Sequence, residues 1–359
     1  MVVETPGKMA MWEFALPEIG EEDGLLRVEL AGVCGSDPGM FKGKSTALAV
    51  KYPLILGHEI VGRIEKLGAR AAARRKLKEG DRVIVETAFG CGHCRPCLAG
   101  NYVHCEAQMF YGHTVPCSEP PHLWGAYGRH LYIAPRAMVH KIDESLPPEE
   151  AVFICAVLGN AIRWLRMLGG VSIGQTAVIE GPGLQGLAGV IVARESGADK
   201  IIVTGLGKDG RRFALAKEFG ATHCLNVERE DPVEAVREIT GGEMADVVME
   251  VTGHPEGPKT ALDLARKRGT IVLPGIYGAG KEIPLVLDKI VFKELKIQGV
   301  LSQDMAAVLP AIRLAESRKY PLAKMITHRF PLEEAEKAVR LAAGEMPEEE
   351  AIKVVIVPF

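Results

Sequence analysis

Thr176-Ala177-Val178-Ile179-Glu180-Gly181-Pro182-Gly183-Leu184-Gln185-Gly186 is the stretch on which the fold turns. Its first five residues, Thr176–Glu180, are apolar and β-type and predict a strand. Gly181, Gly183 and Gly186 then spell G-x-G-x-x-G, and a helix is predicted over Leu184–Glu195. The pattern alone is weak evidence; between a strand and a helix it reads as a dinucleotide-binding turn. The first glycine permits the tight turn, the second lets a pyrophosphate approach the backbone, and the third lets helix and strand pack closely. The opening of the helix, from Leu184, offers free N–H groups and a positive dipole end to the phosphates. The competing reading is a tight strand-to-helix turn that binds nothing.

The sequence on either side decides between them. Further apolar runs predict strands at Lys200–Thr204, Thr222–Asn226, Asp246–Val251, Thr270–Pro274 and Leu295–Val300. Helical patterns fall between them at Arg211–Phe219, Pro232–Ile239, Pro258–Lys267 and, more briefly, Leu285–Phe292. This alternation predicts an α/β fold with a parallel sheet covered by helices on both faces. Upstream, Gly- and Pro-rich sequence with short β-type runs at Gly24–Ala31, Ile60–Lys66 and Asp81–Glu86 predicts an irregular, mainly β domain. Downstream, Met305–Arg318 and Leu332–Ala343 read as helices and Ala351–Val357 as a strand. That tail is too short to fold alone and is expected to pack back on the first domain. The expected division is 1–158, 159–300 and 301–359.

The composition of the 359 residues is that of an ordinary globular protein, large enough for about two domains. A net charge of −3 offers no basic face for nucleic acid. No apolar run is read as long enough to span a bilayer, and Met1–Gly20 lacks the pattern of a secretory signal. Eight cysteines in such a chain fit a reducing, cytoplasmic compartment.

Four of those cysteines, Cys91, Cys94, Cys97 and Cys105, are spaced C-x2-C-x2-C-x7-C. Four thiolates so close along one loop can converge on a tetrahedral zinc ion with no position left for water, a structural rather than a reactive site. Two disulfides or four unrelated thiols are the alternative, less suited to spacing this tight. His93 lies inside the cluster but has no place in a shell that four sulfurs fill. Cys117 and Cys224 have no partner by spacing.

In a dinucleotide site the second strand commonly ends in a carboxylate that binds the ribose 2′-hydroxyl. Here that place falls on Gly205, followed by Lys208, Arg211 and Arg212. A small residue with cations nearby suits a 2′-phosphate and tilts the reading slightly toward NADP over NAD. Asp209 could instead reach the ribose, and the three cations could merely decorate a surface helix. Thr252 and Gly275, at the ends of later strands, are further candidates for coenzyme contact, because ligands of open α/β sheets bind at strand C-termini.

Gly57-His58-Glu59 and Gly32-Val33-Cys34-Gly35-Ser36-Asp37 supply a histidine and a cysteine too far apart for a local finger, each beside glycine in β-rich sequence. With the four-cysteine loop and the G-x-G-x-x-G turn, these segments resemble the zinc-dependent medium-chain dehydrogenase/reductase family, which includes alcohol, sorbitol and threonine dehydrogenases. The likeness extends over nearly the whole chain. It implies a GroES-like catalytic domain, a Rossmann coenzyme domain and a catalytic zinc ion in the cleft between them. By resemblance, Cys34 and His58 are zinc ligands, Ser36 hydrogen-bonds the substrate oxygen, Asp37 steadies the histidine, and Glu59 lies beside the metal and can become a ligand. The family's third ligand, a Cys or Glu ahead of the coenzyme domain, falls on Ala156 by an ungapped count. One inserted residue within Val157–Asn160 restores Cys155, with Glu59 as the fallback; the alternative is a site without catalytic zinc in which Cys155 is a buried thiol. A relay histidine that many members carry is replaced by Pro38-Gly39, so the proton needs another route, such as the ribose, water or His113.

The implied reaction is reversible oxidation of an alcohol or polyol to an aldehyde or ketone with NAD(P)⁺, by a homodimer or homotetramer. Phe110, Tyr111, His113, Trp124 and Tyr127 are candidates for the substrate wall or for core. The rival readings are a zinc-free reductase of activated double bonds, against which the cysteines and His58 count, and an inactive nucleotide-binding homologue.

Overall fold

The computed structural model describes residues 1–44, 50–278 and 280–359. The chain divides into two compact units, Met1–Ala156 with Ala311–Phe359, and Val157–Pro310.

The second unit is built on six parallel strands: Thr176–Glu180, Lys200–Gly205, His223–Asn226, Ala245–Glu250, Ala265–Leu273 and Lys296–Gly299. Numbered along the chain, they lie in the order 3-2-1-4-5-6. This is the Rossmann arrangement, in which the first and fourth strands meet at the centre and the order of strand addition reverses between them. Val178, Ile202, Val248 and Ile271 from four of the strands pack into one core with Ala261, Leu262 and Leu264 of the helix Gly257–Leu264. The helix Leu184–Glu195 starts and stops where the sequence places it.

Two features differ from expectation. The helix expected to run to Lys267 ends at Leu264, and Ala265–Leu273 is strand. Leu-Ala-Arg-Lys-Arg has helical propensity, but Ala265 pairs with Ala245 and the Arg266 Nε donates to Asp246 at 2.7 Å, so sheet pairing overrides it. Second, Pro148–Leu168 forms a 21-residue helix that is long and apolar enough to cross a bilayer by length and composition, contrary to the reading of the sequence; 78% of its apolar window is buried inside the protein, as in a core helix. It contains π-type turns at Ile154–Gly159 and Ile162–Leu168.

The first unit is mainly β. Gly24–Val33 is its central strand and pairs with Glu59–Leu67, His130–Ile133 and the C-terminal strand Lys353–Val357. The sheet continues through Arg82–Val85 and Val139–Lys141 on one side and Ile326–Pro331 on the other. Alternation along Gly24–Val33 sends Leu26 and Val28 into a core shared with Ile60, Ile64, Val354 and Ile356. Cys34 follows the end of this strand, and His58 precedes the start of its neighbour Glu59–Leu67, so backbone pairing of Gly32 with Glu59 brings the two segments together.

Candidate active site

The four-cysteine loop folds as the spacing predicts. The sulfurs of Cys91, Cys94, Cys97 and Cys105 lie within 4.8 Å of one another, and all four are free thiols. The Cys94 and Cys105 sulfurs are 3.9 Å apart, close to the edge of a tetrahedron with Zn–S bonds of about 2.3 Å. Backbone N–H groups point at sulfur: Cys91 N to Cys105 at 3.2 Å and Cys94 N to Cys91 at 3.4 Å. The N–H of His93, followed by that of Cys94, lowers the Cys91 thiol to about 6, whereas burial pushes the Cys97 thiol up to about 12. The donor set fits zinc and leaves no open position. Tyr102, within the loop, donates its hydroxyl to the buried Glu86 at 2.5 Å, and Glu86 also meets His140 Nε2 at 2.7 Å.

A second cluster gathers Cys34, His58 and Glu59, whose donor atoms also lie within 4.8 Å of one another. His58 and Glu59 are buried. A sulfur, an imidazole nitrogen and a carboxylate form a donor set that zinc accepts. Glu59 Oε1 is a buried oxygen without a hydrogen-bond partner among the described residues, an orphan that a cation would satisfy.

Asp37 organises this cluster from beneath. Its Oδ2 accepts the Cys34 N–H at 2.8 Å and the Tyr127 hydroxyl at 2.8 Å, and its Oδ1 lies 3.4 Å from His58 Nδ1. Burial opposes charge on Asp37, yet His58, the Cys34 N–H and the Tyr127 hydroxyl together hold its carboxyl below the ordinary range. Burial likewise opposes charge on His58, and Asp37 and Cys34 overcome it and raise the imidazole well above its usual value. Ser36 sits between Cys34 and Asp37 at the start of the short helix Asp37–Phe41.

The His113 ring lies tilted at 48° against His58 with centroids 4.1 Å apart, and its Nδ1 lies 3.0 Å from the Tyr111 carbonyl. That contact makes Nδ1–H the donor, which leaves Nε2 as a free base. Burial, followed by the charge of His58, lowers its basicity to about 3. Of the aromatic residues considered as substrate wall, Tyr111 and Tyr127 are fully buried core, and Phe110 and Trp124 are nearly so.

Cys155 does not join the Cys34–His58–Glu59 cluster, and Ala156 carries no donor. Cys155 is buried in the π-type turn Ile154–Gly159, where burial, then the charges of Glu86 and Glu59, push its thiol well up. A π turn holds one more residue than an α turn, the kind of insertion that an ungapped count misses. Sequence reasoning also passed over Lys353. Its buried ammonium pairs with Glu59 and donates to the Val33 carbonyl at 3.0 Å. Gly32 makes this possible, because a Cβ there would lie 2.9 Å from Lys353 Nζ and collide with Glu59 Oε2. A lysine heading the run Val354-Val355-Ile356-Val357 was the available signal.

In the coenzyme unit, Gly181 has φ +101°, and a Cβ on Gly186 would run into the Gly181 carbonyl. Both positions therefore require glycine. At Gly205, a Cβ would lie 2.9 Å from Phe213 Cζ and from Pro182 Cγ, so side chains already occupy the place where a ribose-binding acid would start. Asp209 is buried and turned inward, accepting the Leu206 N–H at 2.9 Å and meeting Arg212 at 3.3 Å. Lys208 and Arg211 are exposed. Glu228 reaches back from beyond the third strand to accept the Gly207 N–H at 2.6 Å.

Residues 20–144 match the family described as alcohol dehydrogenase GroES-like domain, and residues 186–317 match that described as zinc-binding dehydrogenase. The chain is 39% identical over 352 residues to the "Probable alcohol dehydrogenase adh" of Mycobacterium tuberculosis, covering 96% of this chain and 94% of that one. It is 32% identical to the L-threonine 3-dehydrogenase of Bacillus licheniformis, over 99% and 98% of the two chains. Among solved structures it resembles an alcohol dehydrogenase from Thermotoga maritima, with TM-score 0.90, 30% identity and coverage of 100% and 98%. A Sinorhizobium meliloti protein solved bound to NADP matches at TM-score 0.86 and 26% identity, over 99% and 98%.

Proposed function

Because the chain belongs to the zinc-binding medium-chain alcohol dehydrogenase family, we propose that it oxidises an alcohol or polyol CH–OH to the carbonyl through the Cys34–His58–Glu59 centre. The family activity is that of a zinc-dependent, NAD(P)-linked oxidoreductase. The observation that carries the assignment of the centre is the convergence of the three donor atoms within 4.8 Å.

When bound, zinc supplies the Lewis acid that acidifies the alcohol, and NAD(P)⁺ accepts the hydride. Cys34 and His58 would hold the metal with one further ligand, Cys155 or, in its place, Glu59, which leaves the fourth position to the alcohol oxygen. The place of Cys155 in the π turn and the charge it feels from Glu59 support Cys155. Asp37 fixes the orientation of His58. Ser36 accepts the alcohol proton and passes it on. Where Pro38-Gly39 leaves no relay histidine, the proton leaves through the coenzyme ribose or water, because burial keeps His113 a weak base. Cys91, Cys94, Cys97 and Cys105 hold a second, structural zinc ion.

Gly181, Gly183, Leu184 and Gly186 receive the pyrophosphate, and Thr252 and Gly275 line the nicotinamide half. Exposed Lys208 and Arg211 support a modest preference for NADP, whereas Arg212 is engaged by Asp209. A homodimer or homotetramer is supported by the edge strand Lys296–Gly299, flanked by exposed Val286, Leu287, Val291 and Phe292. Free cysteines throughout support a cytoplasmic setting.

A panel of primary, secondary and polyol substrates offered with NAD⁺ and with NADP⁺ tests the assignment. It predicts reduced coenzyme from at least one alcohol, abolished by Cys34→Ala. Equal turnover in Cys34→Ala would contradict it.

A further inference from the structure

The coenzyme unit buries two carboxylates side by side at the ends of its two central strands. Glu180 closes the first strand and Glu250 the fourth, and they are direct register partners. Glu180 is 4% exposed and Glu250 0%.

Their surroundings are unequal. Glu250 accepts the Thr252 N–H at 2.8 Å, the Thr252 hydroxyl and the Tyr277 hydroxyl. Its carboxylate also lies against Gly257, the first residue of the helix Gly257–Leu264, where a Cβ would lie 2.4 Å from Glu250 Oε1. Glu180 Oε2, by contrast, is buried without a hydrogen-bond partner among the described residues. Neighbouring buried carboxylates do not both ionise readily. Three donors place the charge on Glu250 and the proton on Glu180. Burial, then Glu250, push the Glu180 carboxyl well up, and burial with the Glu250 contact does the same to the Tyr277 hydroxyl, which stays protonated. Among the described residues these three are the titratable groups acting on one another here.

The charge lies directly under the coenzyme-facing edge. Thr252, held by Glu250, packs on the glycine turn: a Cβ at Gly181 would lie 3.2 Å from Thr252 Cγ2. A Cβ at Gly275 would lie 2.7 Å from Glu250 Oε2. In a 3-2-1-4-5-6 sheet, the ends of the fourth and fifth strands belong to the second mononucleotide half, opposite the ribose read at Gly205. The nicotinamide belongs to that half. Its ring is cationic when oxidised and neutral once it has taken up hydride.

We propose that Glu250 sets the balance between oxidised and reduced coenzyme: its single buried charge stabilises the cationic ring of NAD(P)⁺ over the neutral ring of NAD(P)H, with Glu180 as its uncharged partner. Thr252 and Tyr277 hold the carboxylate in place. The inference rests on the coenzyme reading above and adds a residue outside the glycine motif.

The test is calorimetric or fluorescence titration of NADP⁺, NADPH, NAD⁺ and NADH into the wild-type protein, Glu250→Gln and Glu180→Gln at neutral pH. Glu250→Gln should weaken the oxidised forms about tenfold while moving the reduced forms less than about twofold, as removal of one nearby charge requires. Glu180→Gln should leave the oxidised-to-reduced affinity ratio in place. Equal weakening of both forms in Glu250→Gln would mean that the residue only supports the loops, and would overturn the proposal. If Glu250→Gln fails to fold, Glu180→Gln decides: a roughly tenfold fall in its ratio puts the charge on Glu180 and refutes the assignment. Wild-type protein that bound none of the four coenzymes would instead refute the coenzyme reading itself.

Discussion

Lys353 and Glu59 form a buried ion pair across 294 residues of sequence, joining the C-terminal strand to the strand that carries the metal cluster. Both side chains are inaccessible to solvent, so each charge depends on the other. Lys353→Met should strip Glu59 of its internal partner and, in metal-free protein, cost about 3–5 kcal/mol of stability, with Lys353→Arg milder. Chemical denaturation would measure it. A loss of less than about 1 kcal/mol would mean that solvent reaches the pair.

The four-cysteine loop predicts a selective metal loss. Cys97→Ser should remove one zinc per chain, lower the melting temperature or soluble yield, and leave the second zinc bound. Metal analysis beside thermal denaturation reads both. An unchanged zinc content and melting point would mean that the loop is not a metal site.

Cys155→Ala should remove one zinc and nearly all turnover, while coenzyme titration stays normal. Cys34→Ala should behave alike, since both act on one metal. Full activity with two zincs in Cys155→Ala would leave Glu59 to close the shell.

Glu180 gives a pH dependence with a definite sign. Its folded-state carboxyl is raised, so its contribution to stability is present below the unfolded carboxylate range and is lost as pH rises through the raised value. Glu180→Gln removes that linkage. The variant should gain melting temperature over the wild-type protein as pH climbs from about 5 to 9, and lose the advantage near about pH 4. Parallel stability curves for the two proteins would contradict this.

Coenzyme choice tests the segment after Gly205. Arg211→Ala should lower kcat/KM with NADP⁺ by several-fold, about 1 kcal/mol for one phosphate contact, and leave NAD⁺ unaffected. Gly205→Asp, the change that sequence reasoning suggests for an NAD preference, must displace Phe213 or Pro182 and should therefore lower stability as well. Insensitivity of both coenzymes to Arg211→Ala would remove the NADP reading.

What could be read from the sequence was local. The turn Gly181–Gly186, the helix Leu184–Glu195 and the cysteine spacing are each set by neighbours in the chain, and each is found as expected. The residues that complete the metal cluster are set by distant pairing. Tyr127 meets Asp37 over 90 residues and Lys353 meets Glu59 over 294, and neither contact leaves a periodic trace. The helix Pro148–Leu168 carries π-type turns and therefore does not follow regular helical periodicity. The π turn within it, which an ungapped count toward Cys155 overlooks, is invisible to helical periodicity at 3.6 residues.

Metal content measured together with alcohol oxidation tests the central claim most directly. Protein purified without chelator should carry two zinc ions per chain and reduce NAD(P)⁺ in the presence of an alcohol. Cys34→Ala should retain one zinc, bind coenzyme normally and lose that activity. One zinc per chain in the wild-type protein, with alcohol oxidation that Cys34→Ala leaves intact, would contradict the account.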